Sequence, residues 1–281
     1  MSDKLKILQE TPTKLSFLEK ETLWDEKEKI SQSTHPLKNL KALPKMTGIA
    51  PKTARFLKIK SLFYLIRHDE KKIFTRFFFK RPLTYSFSLL RSYFKPQSFI
   101  RKNDLFFYGI ANEEEFNQAI ASKDTTLLIG FSYCHKPLEC PSGRFTDKCQ
   151  NNSENPICNQ CFIGKCSYLL KNTKAKIVYI PTIHYIGEKI FEAVHKNPKK
   201  NVYFLITACE MSLTMFADWG NMIKAKGIGI RLDGRICNTM KAFELSEKGI
   251  KPGLTVVLDA TKQKMLDIMQ NIHKDACDEK A

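Results

Sequence analysis

Thr126-Leu127-Leu128-Ile129-Gly130-Phe131-Ser132-Tyr133-Cys134 decides how the chain is read, because an apolar run of strand length ends almost directly on a cysteine. A strand buried on both faces carries such a continuous run, where a half-exposed one alternates. The form returns at Asn201 to Ala208, which ends on Cys209, and at Gly227 to Leu232, with Cys237 in the loop that follows. Lys176 to Thr182, Leu105 to Ile110 and Leu254 to Leu258 are further short runs rich in β-branched and aromatic residues. Between the runs lie helical patterns at about Asn112 to Ser122, Tyr185 to His195, Ser212 to Ala225 and Thr261 to His273. One more runs from a cap at Asn238 to Lys248 and is closed by Gly249. The alternation predicts an α/β fold, an open parallel sheet with flanking helices.

In such a sheet ligands bind beyond the carboxyl ends of the strands, and Cys134, Cys209 and Cys237 all fall on that rim. From Cys134 to Cys166 the chain packs six of its nine cysteines into 33 residues, spaced C-x5-C-x8-C-x8-C-x2-C-x4-C. Thiolates are soft ligands that select zinc or iron-sulfur clusters. The expected metal ligands are Cys134, Cys140, Cys149, Cys158, Cys161, Cys166, Cys209 and Cys237, converging on one region. One or two iron-sulfur clusters use that many thiols better than one zinc ion does. Zinc held by Cys140, Cys149, Cys158 and Cys161 is the alternative. Gly164 reads as a flexible turn before Cys166, and Cys277 as a spectator.

The chain has 281 residues, 43% of them hydrophobic, enough for one or two domains without disulfide staples. Its net charge of +17 is uneven, with fourteen Lys or Arg against Asp69 and Glu70 between Pro51 and Asn103. That asymmetry points to a polyanionic partner, nucleic acid or an acidic membrane surface, with a solvated basic face as the plain alternative. Lys52, Arg55, Lys71, Lys72, Arg76, Lys80 and Arg81 are the candidate contacts. They are interleaved with Phe74, Phe77, Phe78, Phe79, Tyr85, Phe87, Tyr93, Phe94 and Phe99. Three readings stand: the aromatics stack on bases, lie on an anionic bilayer, or pack inward. Met46 to Ile66 resembles a helix-hairpin-helix element, whose glycine turn frees backbone N–H groups for a phosphate, although Ala50 replaces the second glycine.

Four parts are expected. Residues 1–45 are a polar, partly disordered arm with one short helix; 46–103 a basic aromatic helical region; 104–275 the α/β domain with its insertion at 134–166; and 276–281 a tail. The N-terminus lacks a signal-like apolar segment and no run has the length of a spanning helix, so a cytoplasmic setting is expected. There a cysteine cluster is a metal or redox site rather than a disulfide framework.

Tyr133-Cys134-His135, Cys158-x2-Cys161, Thr207-Ala208-Cys209-Glu210-Met211-Ser212-Leu213 and Ile230 to Thr239 look like the cysteine-rich family catalogued as domain of unknown function 116. The resemblance spans about 126 to 250 and implies an α/β domain holding iron-sulfur or another metal. Four residues separate Cys161 from Cys166, a departure from the family's tighter cysteine run. Near the expected rim, Glu210 reads as a general acid or base or as a helix cap, and His135 as a ligand, a proton donor or a surface residue. Arg144 and Arg235 read as holders of an anionic substrate. Glu139, His184 and Asp233 complete the candidates. No G-x-S-x-G, Walker or H-E-x-x-H motif is present, and Gly227-x-Gly229 lacks the rest of a dinucleotide fingerprint. The expected function is an iron-sulfur protein with a redox or cluster-dependent role and a redox partner. The alternative is a zinc-stabilised module that binds nucleic acid through 51–103.

Overall fold

Side chains alternate across a strand, so each apolar run divides its residues between two faces of the sheet. A computed structural model of the chain describes residues 15–38, 48–55, 57–94, 99–234, 236–251 and 253–278. Its strands are β1 (Ile100–Lys102), β2 (Leu105–Tyr108), β3 (Thr125–Ser132), β4 (Lys176–Ile180), β5 (Asn201–Ala208) and β6 (Lys226–Arg231), ordered β1-β2-β6-β5-β3-β4. The protein is α/β, as its sequence predicts. β6, β5, β3 and β4 run parallel, whereas β1 and β2 form an antiparallel hairpin that joins antiparallel to β6. The sheet is therefore mixed rather than wholly parallel. Only Asn103 and Asp104 connect β1 to β2, and so short a link permits no parallel crossover. The run at Leu254 to Leu258 does not reach this sheet either. It supplies β8 (Thr255–Val256), which pairs with β7 (Asp233–Gly234) as a separate ribbon.

One face buries Phe106, Tyr108, Leu128, Phe204 and Ile206 beneath α3 (Leu57–Arg67), α4 (Ile73–Phe78), α5 (Pro82–Tyr93), α9 (Ile183–Lys196), α10 (Glu210–Met222) and α11 (Met240–Glu247). The other buries Phe107, Ile129, Phe131, Leu205 and Ile230 beneath α1 (Phe17–Thr34), α6 (Glu113–Ile120), α8 (Phe162–Leu169) and α12 (Asp259–Asp278). The two short helices α2 (Pro51–Ala54) and α7 (Pro156–Asn159) complete the set. Gly229 lets α10 sit close on β6, since a Cβ there would meet Leu213 at 2.6 Å and Tyr108 at 3.1 Å. Packing thus accounts for the glycine at that position.

One region takes the inward-packing alternative of its sequence reading, and one differs from its reading. The basic segment is part of the main core: Leu57, Tyr64, Leu65, Ile73, Phe77 and Tyr85 share one buried cluster with the sheet. Phe77 stacks on Phe191 at 4.9 Å and Phe74 lies 5.5 Å from Trp219. Phe79, Phe87 and Phe94 face outward instead. The polar arm contains not a short loose helix but the 18 residues of α1, opened by a Ser16–Glu19 capping box. Trp24 is buried against Tyr168, and Lys165 pairs with Glu21 (3.0 Å) and Asp25 (2.7 Å). Only Phe17, Trp24 and Ser31 are buried along α1, one residue in every two turns, so its apolar periodicity is too sparse to read from sequence.

Candidate metal and thiol centres

The chain from 136 to 155 runs without helix or strand, and a buried cation organises it. The Lys136 ammonium donates to the carbonyls of Lys148 (2.7 Å) and Thr146 (2.9 Å) and to the Thr146 hydroxyl (3.2 Å). Arg144 donates to the carbonyls of Lys251 (3.0 Å), Cys134 (3.0 Å) and Gly253 (2.5 Å). Read from sequence as a substrate holder, it is a clamp that ties the insertion to the rim. Asn155 caps α7 by accepting from Ile157 (2.9 Å) and Cys158 (3.3 Å). Cys161 stands at the N-terminus of α8 as its N-cap residue. Gly164 is no flexible turn: it lies inside α8, and a Cβ there would strike the Cys158 carbonyl at 2.6 Å.

These restraints bring Cys140, Cys149, Cys158 and Cys161 to the wall of one cavity of about 20 Å³, with Lys136 beside them. Burial pushes the Cys161 thiol up to about 12 and raises Cys158. Without a cation the pair stays neutral. Among the described residues, no three His, Cys, Asp or Glu side chains stand close enough to hold one ion as placed. The donor set nevertheless fits a soft metal, because four sulfurs share a cavity that no carboxylate lines. The buried ammonium would offset part of the thiolate charge.

A second group forms at the rim. Lys251 donates to Cys134 Sγ (3.2 Å) and lies 3.6 Å from Cys237 Sγ. Cys209, N-cap of α10, lies 3.3 Å from the Ser212 hydroxyl, with Cys237 as its neighbour. Interaction with the Cys237 thiol, with support from Lys251 and Ser212, holds Cys209 below the usual thiol range despite burial. The same interaction, together with burial, raises Cys237. Burial works to lower the Lys251 ammonium, but the three sulfurs outweigh it and raise it. Glu247 accepts from the Ile183 N–H (2.9 Å) at the start of α9, and burial raises its carboxyl to about 8. A cavity of about 30 Å³ lies between Cys134, Cys209, Ser212 and Glu247.

The eight thiols therefore do not meet at one point. Four line the insertion cavity, three gather at Lys251, and Cys166 is buried in the core under α8. Lys251 was missed because Lys251-Pro252-Gly253 has only the composition of a turn and carries no signal that the lysine reaches the rim. His135 is buried, Nε2 2.9 Å from the Thr207 hydroxyl, and burial lowers it to about 3. Glu210 pairs with Arg101 (2.9 Å) and faces Arg231 (3.9 Å) at the start of α10, away from both cavities. Asp233 accepts from Gly234 (2.8 Å), His184 Nε2 lies 3.0 Å from the Leu65 carbonyl, and Glu139 accepts from Lys38 (3.0 Å). Arg235 and the Cys277 side chain lie outside the described residues.

Lys52, Arg55, Lys71, Lys72, Arg76, Lys80 and Arg81 are all exposed. Arg76 pairs with Glu188 at 3.1 Å and Lys80 lies 4.8 Å from the Phe77 ring centroid. In the hairpin-like turn, the Ala50 N–H that a phosphate would use donates to the Asn238 carbonyl (2.9 Å). No helix among the described residues is long and apolar enough to cross a membrane. No protein-family model, no curated protein and no solved structure matches the chain.

Proposed function

We propose that this is a metal-binding α/β protein in which Cys140, Cys149, Cys158 and Cys161 hold one metal centre. The observation that carries the reading is the lining of a single cavity by all four thiols, contributed by both halves of an otherwise irregular insertion. Zinc suits a space of about 20 Å³, the size of one water site, and a four-cysteine set is its usual structural shell. When bound, the metal supplies a crosslink across the insertion. Lys136 offsets charge and pins the loop, Arg144 fixes it to the rim, and Trp24 of α1 packs beside Gly164.

An iron-sulfur cluster on the same four thiolates is the second reading. The observation in its favour is the rim trio Cys134, Cys209 and Cys237, thiols that a redox protein would use. The resemblance to domain of unknown function 116 supports a metal of either kind. Anaerobic purification followed by metal analysis and a visible spectrum tests both readings. Stoichiometric zinc in a colourless protein supports the first, and iron with a dithionite-bleached visible band supports the second. Absence of stoichiometric metal, or full retention of it in a Cys140→Ser, Cys149→Ser, Cys158→Ser, Cys161→Ser variant, overturns the assignment.

A further inference from the structure

A surface helix of an α/β protein normally turns its large apolar side chains inward. α5 does the opposite. Tyr85, Leu89 and Ser92 face the core, and Ser92 donates to Asp218 of α10 at 2.8 Å. Leu83, Phe87, Leu90 and Phe94 recur at steps of four, three and four, which places them on one stripe of the helix, and they are 56–86% exposed. α3 repeats the pattern. Leu57, Ser61, Tyr64 and Leu65 are buried, while Ile59, Phe63 and Ile66 are 44–70% exposed. Both helices pack on the α10 side of the sheet, and Phe79, before α5, adds another exposed ring.

Along α5 itself the charge has one sign. From Lys71 to Asn103 the sequence contains no Asp or Glu, and Lys80, Arg81 and Arg91 are exposed beside the α5 stripe. Nucleic acid would meet the cations and stack on Phe87 and Phe94 but give Leu83 and Leu90 no matching surface. An anionic bilayer satisfies both, taking aliphatic and aromatic side chains into its acyl boundary while its headgroups meet the cations. We propose that the outer face of α5 docks the protein on an anionic lipid surface without crossing it.

Sedimentation of the full chain with phosphatidylcholine vesicles, with and without phosphatidylglycerol, tests this. At ~0.15 M salt the parent is expected to pellet with the anionic vesicles and stay in solution with the neutral ones. A Leu83→Ser, Phe87→Ser, Leu90→Ser variant should bind at least ~10-fold more weakly. An Arg81→Glu, Arg91→Glu variant should also lose ~10-fold or more, since each cation at such a surface is worth roughly fivefold. The substituted side chains are exposed, so far-UV circular dichroism and melting temperature should match the parent. The proposal is overturned if the parent ignores anionic vesicles or if the apolar variant binds as well as the parent. It is equally overturned if the substitutions abolish nucleic-acid binding or a concentration-dependent dimer instead of vesicle binding.

Discussion

The two groups of cysteines differ in what neutralises them. In the insertion, Cys140, Cys149, Cys158 and Cys161 line a cavity whose one charged lining residue among those described is Lys136, and that ammonium is bonded to backbone carbonyls. At the rim, Cys134 and Cys237 lie within 3.6 Å of the Lys251 ammonium, and Cys209 lies 3.3 Å from the Ser212 hydroxyl at a helix N-terminus. The Lys251 ammonium sits directly on the rim sulfurs, whereas the Lys136 ammonium beside the insertion is taken up by backbone carbonyls, and on the proposed reading a metal would supply the remaining charge there. Thiols of one chain can thus be set for different chemistry by the side chains and backbone around them.

The largest expected effect tests that division directly. Stripping metal with a chelator should loosen the insertion and lower the melting temperature by on the order of 10 °C, whereas Cys209→Ser and Cys237→Ser should retain the parent's metal content. Equal metal loss from rim and insertion variants would merge the two groups into one centre. Next in size, Lys136→Met should destabilise the fold by about 3 kcal/mol and weaken metal retention, because it leaves the carbonyls of Thr146 and Lys148 unpaired. Urea unfolding with metal analysis checks both effects.

A smaller effect concerns Glu247. Its folded carboxyl titrates near 8 against an ordinary 4.5, so between these values the native protein keeps a proton that the unfolded chain has released. Stability from this group is present below the lower value and falls as pH rises through the upper one. Glu247→Gln keeps an acceptor for the Ile183 N–H and removes that slope. Relative to the parent, it should gain about 2 kcal/mol between pH 5 and pH 6.5, read from melting curves. The smallest effect is spectroscopic. Thiolate absorption assigned to Cys209, by difference from Cys209→Ser, should shift to higher pH by about one unit in Lys251→Met. An unchanged titration would remove Lys251 from the account of the rim.

The α/β class and every strand of the parallel set were legible because buried strands announce themselves as apolar runs. The four insertion cysteines that line one cavity were legible as the zinc alternative within a larger group of eight. β1 was not, since three exposed residues carry no pattern. Neither was α1, which buries only three side chains over 18 residues. The roles of Arg144 and Lys136 could not be read either, because their partners are backbone carbonyls, which leave no mark on the sequence.

The sequence alone determined local matters: which segments become strands and helices, that cysteines stand at strand ends, and that positive charge gathers in one stretch. Those follow from side-chain chemistry and spacing along the chain. Only the tertiary structure decided that the thiols divide into four, three and one, that Lys251 returns to the rim, and that α5 turns its Leu and Phe stripe to solvent. Such outcomes depend on contacts between residues more than a hundred positions apart, such as Lys251 with Cys134 and Ser92 with Asp218. No local pattern encodes which distant surface a side chain will meet.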